Sequence, residues 1–254
     1  MTLVSHVLAC ELEHGVVLID AGIGTDDAES PVERLGRSVK LTGARLSKSE
    51  SAAEQLERLG FDRADVTDVV ATHLDYDHIG GYADFPNATL HTTAAELAEA
   101  RHPTRTTGGN ARYRRAHIAP IADAQTYSVC NTTVLGLDAH ELDGLNGLFL
   151  IPMPGHTIGH AAVALIDPHR GWLVHAGDSF MHRDSIRPTT ASPSFSGRVV
   201  GGIELLMATD RGQVRRNHRI LRELAKTGIR VFCAHDAEQF KILQHEGGDL
   251  AFKP

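Results

Sequence analysis

The chain has 254 residues, 42% apolar and 22% charged, with 25 basic against 32 acidic side chains and a formal charge of -7. That length can bury a large core and fits one domain of the larger kind, residues 1–254. The lack of a long basic run argues against a nucleic-acid partner, and no apolar run approaches the ~20 residues of a membrane span. Cys10, Cys130 and Cys233 are odd in number and far apart, with no CxxC, so reduced thiols are expected rather than a disulfide framework. The stretch "MTLVSHVLACELEHG" has neither the basic nor the apolar region of a secretory signal, and a cytoplasmic location is the expectation.

In chain order, "LVSHVLACEL" and "VVLIDAG" read as a β-hairpin turning at Gly15. The polar stretch from Thr25 to Ser49 reads as a loop or short insertion. "SESAAEQLERLGF" reads as a helix with Ser51 and Glu54 at capping-box spacing and Gly60 at its end. "VTDVVATH" is a strand that delivers His73. "ATLHTT" is a short strand, and "TAAELAEAR" a helix with Thr93 and Glu96 as its box. Residues 102–117 read as a loop. "GLFLIPMPG", "AAVALID" and "GWLVHAGD" are three further strands, residues 182–201 are loop-like, "RGQVRRNHRILRELAKTG" is a helix and "IRVFCAH" a last strand. Strands in two groups, each followed by helices, point to two sheets between helices.

The stretch "THLDYDHIGG" crowds His73, Asp75, Asp77 and His78 into six positions. His156, Asp178 and His235 likewise sit just past apolar, strand-like runs. Strand ends place loop residues rigidly, so one edge of the sheets can gather them all. A lone histidine at a strand end is usually structural; several behaving alike point to a metal site, since His and Asp suit Zn²⁺ and other borderline divalent ions.

"THLDYDHIGG", "PGHTIGH", "GDS" and "AHD", in this order, resemble the metallo-β-lactamase superfamily, with "LIDAG" at Asp20 similar to its first acidic motif. The resemblance implies an α/β fold, an αββα sandwich of two mixed sheets flanked by helices. It implies two divalent ions, zinc first, with iron or manganese as alternatives. His73 and His156 match the ligands of one ion, Asp77, His78 and His235 those of the other, and Asp178 the bridging carboxylate. His160 matches a structural residue of the family, while His91, His102, His117 and His175 match nothing and read as surface or core.

Two departures stand out. Asp75 occupies the place of a common second histidine, which makes it a candidate oxygen ligand and leaves the metal open. Met181 occupies the place of a tyrosine usual in the acyl-homoserine lactonase branch that "AHDAEQF" resembles, and His182 is the neighbouring candidate donor. The implied activity is hydrolysis of an ester, lactone or related carbonyl bond of a small molecule by a bridging hydroxide, with Asp77 moving a proton to the leaving group. The alternatives are a carboxylate-rich diiron oxidoreductase of the same fold, or a phosphodiesterase or β-lactamase type of hydrolase.

Overall fold

In the computed structural model the described residues are 2–37, 39–104, 112–121, 123–188, 190 and 192–248. Strands β1 (Leu8–Leu12) and β2 (Gly15–Ile19) form the expected antiparallel hairpin, and Gly15 takes φ 140°, in the region that favours glycine. Three strands extend it in parallel: β3 (Val66–Val70), β4 (Thr89–Thr93) and β5 (Ala124–Tyr127), in sheet order β1-β2-β3-β4-β5. The second sheet has the order β11-β10-β9-β8-β7-β6. Its strands are β6 (Thr132–Val134), β7 (Leu137–Glu141), β8 (Leu148–Pro152), β9 (Ala161–Asp167), β10 (Gly171–His175) and β11 (Arg230–Phe232). All its pairs are antiparallel except β10 with β11, so both sheets are mixed.

The helices are α1 (Thr25–Glu29), α2 (Pro31–Leu35), α3 (Val39–Thr42), α4 (Ala52–Arg58), α5 (Tyr76–Ile79), α6 (Ala94–Arg101), α7 (Arg115–Ile118), α8 (Phe195–Met207), α9 (Arg211–Lys226) and α10 (Ala237–Gly248). Side chains alternate along a strand, so each sheet has two faces to cover. Val17, Ile19 and Val70 meet Leu150, Val163 and Phe232 in the core between the sheets. Val16, Leu18 and Val69 point outward, where Ala53 and Leu56 of α4 and Leu97 and Ala100 of α6 cover them. On the far side Ala162, Ala164 and Val174 pack under Leu221 and Leu224 of α9. The αββα sandwich is the observed architecture. Among the described residues no helix is long and apolar enough to cross a membrane.

Three readings need correction. Residues 25–49 are not a plain loop but hold α1 to α3 and a single 3₁₀ turn, Lys48–Glu50. Pro31 in the first turn of α2 and the acidic Asp26 and Asp27 in the first turn of α1 suit helix starts, and the buried Asp27 ties the segment down through Arg34 and His117. The loop expected through residue 201 gives way to α8 at Phe195, capped by the Ser194 hydroxyl accepting the Gly197 N–H. Gly197, Gly201 and Gly202 had masked its helical pattern. Strands β5 to β7 went unread because they are short and largely polar. Their β6–β7 turn puts Leu135 and Gly136 both at positive φ, 55° and 77°, without the usual Asn-Gly signal. Of the loop expected over 102–117, residues 105–111 lie outside the described set, and 115–117 open α7.

Candidate metal centre

Each candidate ligand comes shortly after the end of a strand. His73 follows β3, with Asp75, Asp77 and His78 continuing into α5; His156 follows β8, Asp178 follows β10 and His235 follows β11. Gly80 and Gly81 then let this loop lie against the Ala21–Gly24 backbone. A side chain at Gly81 would overlap the Ala21 carbonyl, and one at Gly80 the Asp27 carboxylate.

The ligand atoms converge. His73 Nε2 lies 3.3 Å from Asp75 Oδ2, and His156 Nε2 lies 3.1 Å from the same oxygen. Asp178 faces both sides of the centre. Its Oδ2 is 3.4 Å from His156 Nε2, and its Oδ1 is 3.4 Å from His78 Nε2 and 3.0 Å from His235 Nε2. Asp77 Oδ2 stands 3.7 Å from His235 Nε2. Tetrahedral ligands on bonds of about 2.0–2.1 Å lie roughly 3.3–3.4 Å apart, a separation that three of these spacings match and the others approach within about 0.3 Å. Three triads can each hold an ion: His73/Asp75/His156, His73/His78/Asp178 and Asp77/His78/His235.

The residues fit metal by a second test. His73 Nε2 and His78 Nε2 are buried, and neither has a hydrogen-bond partner among the described residues. Their other ring nitrogens are engaged from behind. His78 Nδ1 lies 2.8 Å from Asp20 Oδ2 and donates to it. His73 Nδ1 lies 3.1 Å from the Thr72 hydroxyl, which donates in turn to Asp20. His235 Nδ1 donates to the Val4 carbonyl at 2.6 Å. Such acceptors fix the tautomer that leaves Nε2 free for an ion. Asp20 does this from φ 59°, a left-handed conformation that Asp tolerates better than most residues.

His160 acts on Asp178. Its Nε2 accepts the Asp178 N–H at 2.9 Å, and its Nδ1 lies 3.2 Å from the Met153 carbonyl. Burial works to raise the Asp178 carboxyl, but His235, His78 and His156 around it hold it well below the usual carboxylate range. Burial would lower His235, yet Asp178 and Asp77 raise it to about 9. The Asp178 carboxylate is thus held in the ionised form that a cation takes.

Two residues at the centre escaped the sequence reading. Glu96 is fully buried, and its carboxylate accepts from Leu74 N (2.9 Å), the Tyr113 hydroxyl (3.1 Å), the Thr157 hydroxyl (2.6 Å) and Gly159 N (3.1 Å). It therefore clamps the loop of His73 and Asp75 to the loop of His156. The spacing from Thr93 suggested a capping box. The Thr93 hydroxyl does accept the Glu96 N–H, but the Glu96 side chain turns away to the ligand loops. The other residue is Arg112. Its Nη1 donates to Asp75 Oδ2 and, at 2.7 Å, to His156 Nε2, while Nη2 donates to the Met207 carbonyl at 2.6 Å. No spacing rule links position 112 to positions 75 and 156.

His182 makes its contacts at the next turn. Its Nδ1 accepts the Asp184 N–H at 3.1 Å, capping a short 3₁₀ segment, and its Nε2 lies 3.4 Å from the Ser196 hydroxyl. Met181 is buried, and its N–H donates to Glu204. His91, His117 and His175 are buried and His102 is exposed, in keeping with their reading as core or surface.

A family model described as the metallo-beta-lactamase superfamily matches residues 4–230. A probable metallo-hydrolase of Mycobacterium tuberculosis is 37% identical over 247 residues, 95% of this chain and 77% of the relative. The N-acyl homoserine lactonase AttM of Rhizobium johnstonii is 29% identical over 87% of this chain and 78% of its own. Among solved structures, Bacillus thuringiensis AiiA with N-decanoyl-L-homoserine bound at its active site superposes with TM-score 0.68 at 20% identity, covering 95% of this chain and 84% of that one. AidC, a dizinc quorum-quenching lactonase, superposes with TM-score 0.59 at 19% identity over 92% and 73%.

Proposed function

The chain is a hydrolase that belongs to the metallo-beta-lactamase superfamily, and we propose that its single domain cleaves an ester or lactone bond of a small molecule at a centre of two divalent ions. The observation that carries this reading is Asp178, whose two oxygens face His156 on one side and His78 and His235 on the other. His73, Asp75 and His156 would hold one ion, Asp77, His78 and His235 the other, and Asp178 both. Zinc suits this donor set, and Asp75 adds an oxygen that also suits iron or manganese.

Bound ions supply a Lewis acid for the carbonyl oxygen and lower the pKa of water from 15.7 to about 7. The protein's own groups do the rest. Asp77 is 27% exposed, the most open carboxylate of the set, and can carry a proton from the attacking water to the leaving oxygen. Asp20, Thr72 and the Val4 carbonyl keep the imidazoles in one tautomer, so no ligand has to reorganise during the reaction. Met181 offers no side-chain donor to an oxyanion. His182 Nδ1 accepts the Asp184 N–H, which leaves Nε2, 3.4 Å from the Ser196 hydroxyl, as the one ring nitrogen of the loop after Asp178 that can donate. Exposed Ile158, two residues after His156, and exposed Met207, whose carbonyl accepts from Arg112, suit a substrate with an apolar part.

Elemental analysis of the purified protein should find about two divalent ions per chain. His78→Ala and His235→Ala should deplete one ion, and His73→Ala and His156→Ala the other. A full complement in all four variants would overturn the ligand assignment. A panel of lactones, aryl esters, β-lactams and phosphodiesters then reads the reaction, and turnover confined to phosphodiesters or β-lactams would replace the ester reading. On the best substrate, His182→Ala should lower turnover about tenfold with metal content intact; unchanged rates would leave His182 as a cap alone. Visible absorption of the purified protein would bring back the diiron alternative, since zinc is colourless.

A further inference from the structure

The arginine at the metal centre sets up a competition. His156 Nε2 has one lone pair in the plane of its ring. In the structure that lone pair accepts Arg112 Nη1 at 2.7 Å. The same nitrogen is the atom His156 turns toward Asp75 and Asp178, so it is also the atom an ion would take. A guanidinium hydrogen and a metal ion cannot share it. Asp75 Oδ2 is less exclusive, because a carboxylate oxygen can serve two partners. The arginine is not a loose surface side chain. It is 8% exposed, and its other fork nitrogen donates to the Met207 carbonyl at the end of α8. The next residue, Tyr113, is buried and held by Glu96, so the backbone is pinned where the side chain begins. No cation of this kind stands against the Asp77/His78/His235 triad among the described residues.

We propose that Arg112 is a resident cation of the His73/Asp75/His156 half-site that must swing away before an ion can bind there, so that the two ions bind in order and unequally. This rests on the two-ion reading above. The Asp77/His78/His235 half fills first. The other half fills second and more weakly, because its ion has to displace charge-assisted hydrogen bonds to Asp75 and His156. Losing one or two such bonds corresponds to about a ten- to hundredfold lower affinity. Asp75 is what retains the arginine, since an imidazole at that position would repel it or offer only one acceptor. The departure at position 75 and the arginine at position 112 thus form one device.

The test is a titration of the metal-stripped full chain with Zn²⁺, read by calorimetry and by zinc content after dialysis. The wild-type protein should show a tight phase and a weaker one of equal stoichiometry. His73→Ala should delete the weak phase and keep the tight one. Arg112→Met, which keeps an apolar stem and removes the cation, should strengthen the weak phase about tenfold or more and leave the tight phase unchanged. Arg112→Lys, which keeps charge without the fork, should fall between the two and serves if the methionine variant does not fold. Two phases of equal affinity in the wild type, an Arg112→Met titration identical to it, or loss of the tight phase in His73→Ala would each overturn the proposal while leaving a two-ion centre standing. No zinc binding by any of the proteins would instead overturn the two-ion reading itself.

Discussion

In the Asp77/His78/His235 half of the centre, both imidazoles are steered from behind by acceptors, Asp20 for His78 and the Val4 carbonyl for His235. The His73/Asp75/His156 half shares this only at His73, which leans on Asp20 through the Thr72 hydroxyl. His156 Nδ1 is buried without a partner among the described residues, and Glu96 holds the loops rather than the rings. An arginine sits on its ligand atoms. The first half is set by hydrogen bonds to both of its imidazoles, and the second by one such bond, at His73, together with a buried clamp and a balancing charge. On the two-ion reading, ring orientation would tune the ion of the first half, and displacement of a cation that of the second.

The comparison is broken most severely at Glu96. Replacing it with Ala leaves four donors, two of them backbone N–H groups, facing a cavity. Buried unsatisfied groups cost about 1–3 kcal/mol each, so denaturant unfolding should show a loss of at least about 3 kcal/mol. Ion binding should weaken in the His73/Asp75/His156 half first. A Glu96→Ala protein as stable as its parent would show that the clamp is not what holds that half.

Asp20→Asn tests mainly the opposite half, since Asp20 meets His78 directly and His73 only through Thr72. Asn tolerates positive φ as Asp does, so the backbone is kept while one carboxylate oxygen is lost. The tighter ion should lose about 10- to 100-fold in affinity, as for other groups behind a metal ligand. An effect confined to the weaker ion would reverse the assignment of the halves.

Acid should act beneath the first half. His6 packs on Phe232, Phe240 and His175, beside the strands that deliver Asp178 and His235. Burial, with a smaller push from His175, lowers His6 from 6.5 to about 3. The folded state therefore binds fewer protons than the unfolded chain between these values. Stability from this residue is full above pH 6.5 and falls as pH drops through the window, by about 1.4 kcal/mol per unit in its middle. His6→Phe should flatten that slope in the metal-free protein, read as denaturation midpoints at pH 7 and pH 5. An unchanged slope would place the acid sensitivity elsewhere.

The smallest change expected is at Asp75. Asp75→His exchanges an oxygen donor for an imidazole and removes the arginine's carboxylate partner. The weaker ion should bind zinc several-fold better relative to manganese, with the tighter ion unaffected. Relative affinities unchanged in Asp75→His would make Asp75 a partner of Arg112 and not a ligand.

Much of the centre was legible in residue order. Motif spacing named the seven candidate ligands, and the structure brings all seven together at the ends of β3, β8, β10 and β11. That worked because local runs of apolar residues mark strands, and strand ends are where a sheet can present side chains. Regular strands and helices with strong patterns, such as β2, β9 and α9, were read for the same reason. The segments that failed were those with weak local signals: the short polar strands β5 to β7, and α8 with its three glycines.

Glu96 and Arg112 could not be read at all. A glutamate three residues after a threonine has a local explanation as half of a capping box, and local spacing cannot tell which way its carboxylate turns. An arginine among other polar residues looks like surface. Residue types and spacings pointed to two sheets between helices and to a cluster of candidate ligands, since those depend on short-range patterns, and the motif resemblance added the class of chemistry. Packing alone decided that a carboxylate would clamp loops 22 and 63 residues away along the chain, and that a guanidinium 37 residues from Asp75 would rest on it. The physical reason is that burial makes such groups seek partners wherever the fold brings donors and acceptors within 3 Å or so, whatever their separation in sequence.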